Sequence, residues 1–338
     1  MPSLPPAPPP GVPPGLSPAP RYDATAARPD WADLPAPLRA AIEARLGGPV
    51  IAAATAGGGF TRGFAAVLTT ACGKRAFVKT AHLVRQPHLA DWYAREAEIS
   101  SLLPAAVPAP RPRWRLTAAD HLVVCFEAVE GRMPRLPWHP AELDAALTAW
   151  ATAAAALREL SADLLRVGLP ALADLLRADL CHWRAVAAGE EPLPPFAAPA
   201  ARHLAELVAL EAALPEYAIN SGMIHCDLRV DNILIDHTGA AWICDWSWPC
   251  LGPAWFDTAS LLVTAYASGL DADALFAAHP TTRDAPPDGL DATLAALAGY
   301  WLTGAAAGPT DAAPALRHHQ RWSGEAALAW LFARRGWH

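Results

Sequence analysis

Lysine and asparagine are nearly missing from this chain. Of its 26 basic residues only Lys74 and Lys79 are lysine, and Asn220 and Asn232 are its only asparagines. A chain that avoids both types keeps them where their chemistry is needed, so these positions mark places to look. Also missing is any CxxC pair: Cys72, Cys125, Cys181, Cys226, Cys244 and Cys250 stand apart, several inside apolar runs where a reduced thiol behaves as a small hydrophobe. That pattern implies a reducing cytoplasm. The chain does not open on a basic segment followed by an apolar run, and its longest apolar stretches are Ala-rich and broken by Arg or Asp, so neither a signal peptide nor a membrane span is expected. A formal charge of −7 would repel a nucleic-acid backbone or an anionic lipid surface and leaves a neutral or cationic small partner.

What is present suits a folded protein with two lobes: 338 residues, 53% apolar and 17% charged. Residues 1–20, rich in Pro with Ala and Gly, predict a disordered tail. Residues 21–130 form the expected first lobe. In it, Leu34, Leu38, Ile42 and Leu46 have helical spacing within 31–46, and 50–54, 64–70 and 75–80 read as a three-strand meander. A helix over 89–103 and a strand over 121–126 follow. From residue 131 to 338 the expected second lobe is mostly helical, with long Ala/Leu-rich helices over 141–167, 171–188 and 197–213. It holds one β-type island at 223–246. The fold class is therefore α+β, a small antiparallel sheet lobe followed by a helical lobe.

The island carries the chemistry. Its sequence is Ile224-His225-Cys226-Asp227-Leu228-Arg229-Val230-Asp231-Asn232-Ile233-Leu234-Ile235, a Gly239 turn, then Ala241-Trp242-Ile243-Cys244-Asp245-Trp246. Asp227 precedes a loop, Asn232 follows it by five residues and Asp245 ends the next strand, so folding the hairpin brings all three side chains to one edge. Phosphoryl transfer needs such a set: a carboxylate to orient a hydroxyl and take its proton, and hard oxygen ligands for Mg²⁺. A chance HxDxxxxN beside a buried hairpin is disfavoured in a chain so poor in Asn, the more so with a second Asp at hairpin spacing.

This stretch resembles the catalytic and metal loops of the aminoglycoside phosphotransferase and choline kinase superfamily, small-molecule relatives of protein kinases. His225-Cys226-Asp227 through Asn232 stands where that family has H-G-D-x-x-x-x-N. The resemblance spans about residues 50–262. It implies a bilobal protein-kinase-like fold, ATP and Mg²⁺ as cofactors, Asp227 as the catalytic aspartate, and Asn232 and Asp245 as metal ligands.

The first lobe agrees. Lys79 lies on an apolar strand, and a compact ammonium suits the clamping of nucleotide phosphates; an ordinary strand-edge lysine is the alternative. The resemblance selects Glu96, which follows Arg95, as its carboxylate partner, with Glu98 left open. Gly57, Gly58 and Gly59 lie between the first two strands, where glycine backbone can approach phosphates; a plain flexible hairpin is the rival reading. Residues 123–131 resemble the family's hinge, with main-chain groups near Phe126 and Ala128 expected to meet adenine. Arg229 either touches the γ-phosphate or faces solvent. Asp257 resembles a family aspartate that accepts backbone hydrogen bonds from the catalytic loop. Residues 317–321, with adjacent His318 and His319, read as a solvated polar face.

The implied activity is O-phosphorylation of a small hydroxylated molecule, such as an aminoglycoside antibiotic. An amino alcohol, amino acid, sugar or nucleoside is the alternative acceptor. A protein kinase is disfavoured, because only a few residues separate Asp245 from the Asp257 helix, too few for a long activation segment. A catalytically dead nucleotide-binding scaffold is the rival of another class. The chain's end, Arg334-Arg335-Gly336-Trp337-His338, is basic and aromatic, unlike the acidic ends of the aminoglycoside branch. Trp246, Trp248, Trp255, Trp301 and Trp330 are either core or a platform for a flat or sugar ring.

Overall fold

The computed structural model describes residues 13–308 and 313–338. The first lobe is built on an antiparallel sheet of β1 (Val50–Thr55), β2 (Phe64–Thr70), β3 (Arg75–His82), β4 (Pro112–Ala118) and β5 (His121–Phe126), in the order β1-β2-β3-β5-β4. Helix α1 (Ala36–Leu46) packs on one face and α2 (Pro87–Leu102) on the other. The two-residue period of a strand decides which side chain goes where. On β3, Ala76 and Val78 join Leu38, Ile42, Val123 and Cys125 in the core under α1. Phe77 and Ala81 therefore face α2, against Leu89, Tyr93, Val124 and Phe126, and Lys79 must share that second face.

The expected helix over 31–46 splits into a 3-10 turn, Trp31–Asp33, and α1. Leu34 precedes Pro35 and is extended (ψ 143°), as the steric demand of a following proline ring dictates.

The second lobe contains β6 (Gly131–Arg132), α3 (Pro140–Ala156), α4 (Ala162–Arg166), α5 (Leu172–Asp179), α6 (His182–Ala187), α7 (Leu204–Tyr217), β7 (Met223–Ile224), β8 (Ile233–Asp236), β9 (Ala241–Ile243) and β10 (Cys250–Leu251). Helices α8 (Ala254–Ala267), α9 (Ala272–Ala278), α10 (Gly289–Ala306) and α11 (Ala315–Arg335) complete it. All three long helices expected there are divided: the 197–213 run is a 3-10 helix up to His203 and α-helical from Leu204. The 141–167 run stops at Leu157, whose carbonyl accepts from Met223 N (3.0 Å), and restarts on the Ser161 cap. The 171–188 run breaks at Leu180–Cys181. The core of this lobe gathers Trp150, Trp183, Trp246 and Trp330, each almost fully buried.

Residues 1–12 of the expected tail lie outside the described residues, and the remainder differs from expectation. Leu16 packs on the large core, Ser17 N donates to Glu325 Oε2 (2.8 Å), and His318 Nε2 lies 2.8 Å from Pro18 O. The segment then runs into the cleft between the lobes, where Pro20 and Tyr22 are buried. The 317–321 run is likewise divided: His318 is exposed, whereas His319 and Gln320 are buried, so only part of it is a solvated face.

Candidate active site

The catalytic loop is fixed from below. Asp257, in the first turn of α8, accepts from His225 N (2.7 Å) and Cys226 N (3.0 Å), as expected for its place in the motif. Cys226 stands where the resembling motif has glycine and has φ +63°, a region a side chain enters only at a cost of about 1–2 kcal/mol. The two hydrogen bonds donated to Asp257 hold that turn. His225 is fully buried and donates from Nε2 to Cys244 O (2.9 Å), while its Nδ1 accepts from Asp227 N (3.3 Å). Burial lowers its pKa to about 4, so it stays neutral and in that tautomer.

The β8–β9 hairpin then delivers the oxygen donors. Ile233 pairs with Ile243, and one step beyond that pair Cys244 N donates to Asn232 O (2.8 Å), which sets Asn232 beside Asp245. The turn is closed by Asp236, whose Oδ1 accepts from Thr238 N, Thr238 Oγ1 and Ala240 N. Asn232 spends its Nδ2 on Asp227 O (2.8 Å) and Asp227 Oδ2 (3.2 Å), so its amide oxygen takes no part in those bonds. Asp245 has φ +62° and accepts from Ser247 Oγ (2.7 Å). Burial raises its pKa, but Lys79 and the Ser247 hydroxyl outweigh that and bring it to about 2.

This donor set fits Mg²⁺. Asp245 is ionised, and its side chain is 41% exposed, open to an incoming ion. Among the described residues no three His, Cys, Asp or Glu side chains converge on one point. A cation held by one carboxylate and one amide oxygen draws its remaining ligands from water and phosphate, which is how Mg²⁺ binds best.

Lys79 Nζ donates to both Glu96 oxygens (2.8 and 2.7 Å) and lies 3.5 Å from Asp245 Oδ1. Glu96 is the partner because it shares the sheet-facing side of α2 with Tyr93, while Glu98 is exposed. Burial would lower the Lys79 pKa, yet Asp245 and Glu96 hold it above its ordinary value. Lys74 and Asn220, by contrast, are exposed.

Arg229 is not solvent-facing. Its Nη1 lies 3.0 Å from Asp227 Oδ1, its Nε and Nη2 donate to Asp231 (3.0 and 3.2 Å), and its guanidinium stands over the Phe60 ring at 5.2 Å. Burial pushes Asp227 up, to about 7, with Arg229 opposing and Asp231 and Asp245 adding repulsion.

A cavity of about 640 Å³ joins these parts: Lys79, Glu96, Asn232 and Asp245 line it together with Gly57, Gly58 and Gly59. Its inner end is apolar, with Val67, Phe77 and Leu234, and the hinge contributes Phe126, Glu127 and Val129. Ala128 does not line it, because it falls between the two hinge residues that do. Of the five tryptophans considered, Trp246, Trp255, Trp301 and Trp330 are core; Trp248 is 51% exposed and packs edge-on against Trp92.

Sequence reasoning missed Asp231, which shares Arg229 with Asp227, and Tyr22 and Arg28, which reach the cleft from the segment before α1. Asp231 had a signal, since it lies inside the motif next to Asn232. The other two had none.

Residues 57–290 match APH, the phosphotransferase enzyme family. No curated protein sequence matches significantly. Among solved structures the fold is similar to a thermostable mutant of aminoglycoside phosphotransferase APH(4)-Ia in ternary complex with AMP-PNP and hygromycin B (TM-score 0.59, 16% identity, 88% of this chain and 99% of that one). It is also similar to choline kinase LicA from Streptococcus pneumoniae (TM-score 0.57, 15% identity, 87% and 97%). A third is an aminoglycoside phosphotransferase from Alicyclobacillus acidocaldarius (TM-score 0.51, 18% identity, 80% and 89%). At such identities the likeness concerns the fold, which is protein-kinase-like and α+β. With the match covering most of its length, the chain belongs to the APH family of phosphotransferase enzymes.

Proposed function

We propose that the protein is an ATP- and Mg²⁺-dependent O-phosphotransferase that acts on a hydroxyl group of a small molecule. The observation that carries this reading is the convergence on one cleft edge of three groups with different charge states. Asp245 is held ionised, Lys79 is clamped to Glu96, and Asp227 is poised near neutrality with its carboxylate 25% exposed.

In this reading Asp227 orients the acceptor hydroxyl and takes its proton, a role suited to a carboxylate whose pKa lies near the working pH. Arg229 and Asn232 fix that carboxylate from two sides, so it meets the hydroxyl without rearrangement. Lys79 faces the nucleotide phosphates, oriented by Glu96. Asn232 and Asp245 would hold Mg²⁺, which when bound neutralises charge on the phosphates. Val67, Phe77 and Leu234 offer an apolar slot for adenine beside the hinge.

The acceptor class we favour is a small hydroxylated molecule, with an aminoglycoside or other antibiotic among the candidates. The fold's likeness to a hygromycin B-bound enzyme and to a choline kinase supports a range from antibiotic to amino alcohol. The basic chain end offers no free cation to such a ligand. Arg334 is paired with Asp273 and Asp291, and Arg335 with Asp288 and Asp291. A cytoplasmic setting is supported by six free thiols, and no helix among the described residues is long and apolar enough to cross a membrane.

The test is incubation with ATP, Mg²⁺ and a panel of hydroxylated acceptors, read by mass spectrometry. A gain of one phosphate on an acceptor, lost in Asp227→Ala, is expected. Nucleotide binding with no transfer across the panel would favour the scaffold instead.

A further inference from the structure

We propose that Arg28, contributed by the segment ahead of α1, is a further residue of the phosphate side of the nucleotide site. It both pins the glycine-rich loop and supplies a positive charge to the wall of the cavity. The proposal rests on the nucleotide-site reading above.

The geometry comes first. Arg28 Nη1 donates to Gly63 O (2.9 Å) and Thr61 Oγ1 (3.1 Å), and Nη2 donates to Gly58 O (3.1 Å). Gly58 lies on the limb leaving β1 and Gly63 on the limb entering β2, so one planar guanidinium ties both limbs of the loop. One step away Ala26 N donates to Gly57 O (2.8 Å) and adds a second tie from the same segment. The glycines themselves record this contact. A Cβ on Gly57 would stand 1.9 Å from Asp23 O, and one on Gly59, where φ is +87°, would stand 2.9 Å from Arg28 Nη2. The loop is glycine-rich at these positions because the chain's own segment passes against it.

Charge is the second, independent argument. Arg28 lines the same cavity as Lys79, Glu96 and Asp245, and its field reaches the Glu96 carboxylate. Lys79 is already shared between Glu96 and Asp245; Arg21 and Arg132, also on the wall, are paired with Asp23 and Glu142, and Arg135 is exposed beyond the hinge. A polyphosphate entering past Lys79 meets a cation already shared between two carboxylates, so a further positive charge beside it favours binding. The hydrogen bonds of Arg28 run to two carbonyls and a hydroxyl, all neutral, so its charge is left for an anion. Arginine suits this double duty, because its fork can hold the loop with some donors while its delocalised charge faces phosphate.

The experiment is equilibrium binding of ATP and of adenosine to the full chain, with Arg28→Ala, Arg28→Lys and Lys79→Ala beside wild type and a melting curve for each. Arg28→Ala is expected to weaken ATP about tenfold, in line with the loss of one charge-assisted contact, and to leave adenosine unchanged. Arg28→Lys keeps the charge without the fork and should fall between. Amide hydrogen exchange across 56–63 in the nucleotide-free protein should quicken in Arg28→Ala. Equal weakening of ATP and adenosine, or no weakening of either while Lys79→Ala loses ATP, would overturn the role of Arg28 alone. If Lys79→Ala also binds ATP normally, or wild type does not bind it, the nucleotide-site reading falls and takes this proposal with it.

Discussion

Two clusters in the cleft are built alike, each from one cation and two carboxylates, yet they leave their functional acids in opposite states. In the first, Lys79 lies between Glu96 and Asp245, and Asp245 falls to about 2. In the second, Arg229 lies between Asp227 and Asp231, and Asp227 rises to about 7. Burial pushes both aspartates up. The difference lies in what opposes it. Asp245 is drawn down by Lys79, the Ser247 hydroxyl and the more distant Arg229, whereas Asp227, though it has Arg229 and the Asn232 amide, is repelled by both Asp231 and Asp245. A metal ligand has to be ionised at every working pH, and a proton acceptor has to be able to change state. One arrangement therefore suits each task.

The largest effect that would break this comparison is on Asp227. Asp227→Ala should reduce transfer by on the order of a thousandfold while ATP binding stays nearly intact, because the residue serves the acceptor. Near-normal turnover would remove it from the mechanism. Next, Lys79→Ala should cost about a hundredfold in kcat/KM for ATP, with arginine a poor substitute between a carboxylate and a phosphate. Lys74→Ala, on an exposed turn, should behave as wild type, and the reverse result would mean that the register of β3 is wrong. Asp245→Asn and Asn232→Ala should each raise the Mg²⁺ concentration for half-maximal activity about tenfold. An unchanged titration would take them out of the metal site.

The comparison is sharpened by pH. With Asp227 near 7 and active as the carboxylate, kcat/KM should climb as pH rises through about 7 and be lost below it. Arg229→Gln removes the group that holds Asp227 down, so the acid limb should move up by about one pH unit. Asp231→Asn removes a repelling charge and frees Arg229 for Asp227, so the limb should move down by a similar amount. Identical profiles in both variants would show that Asp227 does not set the limb.

Much of the first lobe was legible because strand period and packing agree. The 64–70 and 121–126 strands appear at their expected bounds, and Lys79 faces the cleft because Val78 has to face α1. The catalytic hairpin was legible because its three groups lie within 19 residues and a single pairing register joins them. What escaped was long-range. Tyr22 Oη meets His319 Nδ1 at 2.7 Å, and Phe60 packs on the same imidazole at 4.9 Å, contacts to which no local periodicity points. Helix ends were missed for another reason: no Pro or Gly marks the breaks at Leu157 and Leu180, which are held by tertiary partners, Met223 N on Leu157 O and the Glu211 carboxylate on Trp183 N and Arg184 N.

The smallest effect concerns the Pro-rich start, of which residues 13–20 lie outside both clusters but lead into the cleft beside them. If residues up to 20 were an unpacked appendage, their removal would leave the melting temperature unchanged. Three contacts argue otherwise. Ser17 N donates to Glu325 Oε2, a carboxylate whose other oxygen receives Arg321 Nε (2.7 Å); Pro18 O meets His318; and Leu16 covers part of the large core. Two hydrogen bonds and a half-buried leucine together contribute about 2–3 kcal/mol. In a chain of this length that corresponds to a melting temperature lower by roughly 4–8 °C on removing residues 1–20. Transfer should change less than in any cleft variant, because Arg28 remains to hold the glycine-rich loop and Tyr22 remains on His319, the imidazole that Phe60 also packs against. A melting temperature within error of wild type would restore the appendage reading. A loss of activity as large as that of Lys79→Ala would instead mean that residues before Tyr22 act on the cleft itself.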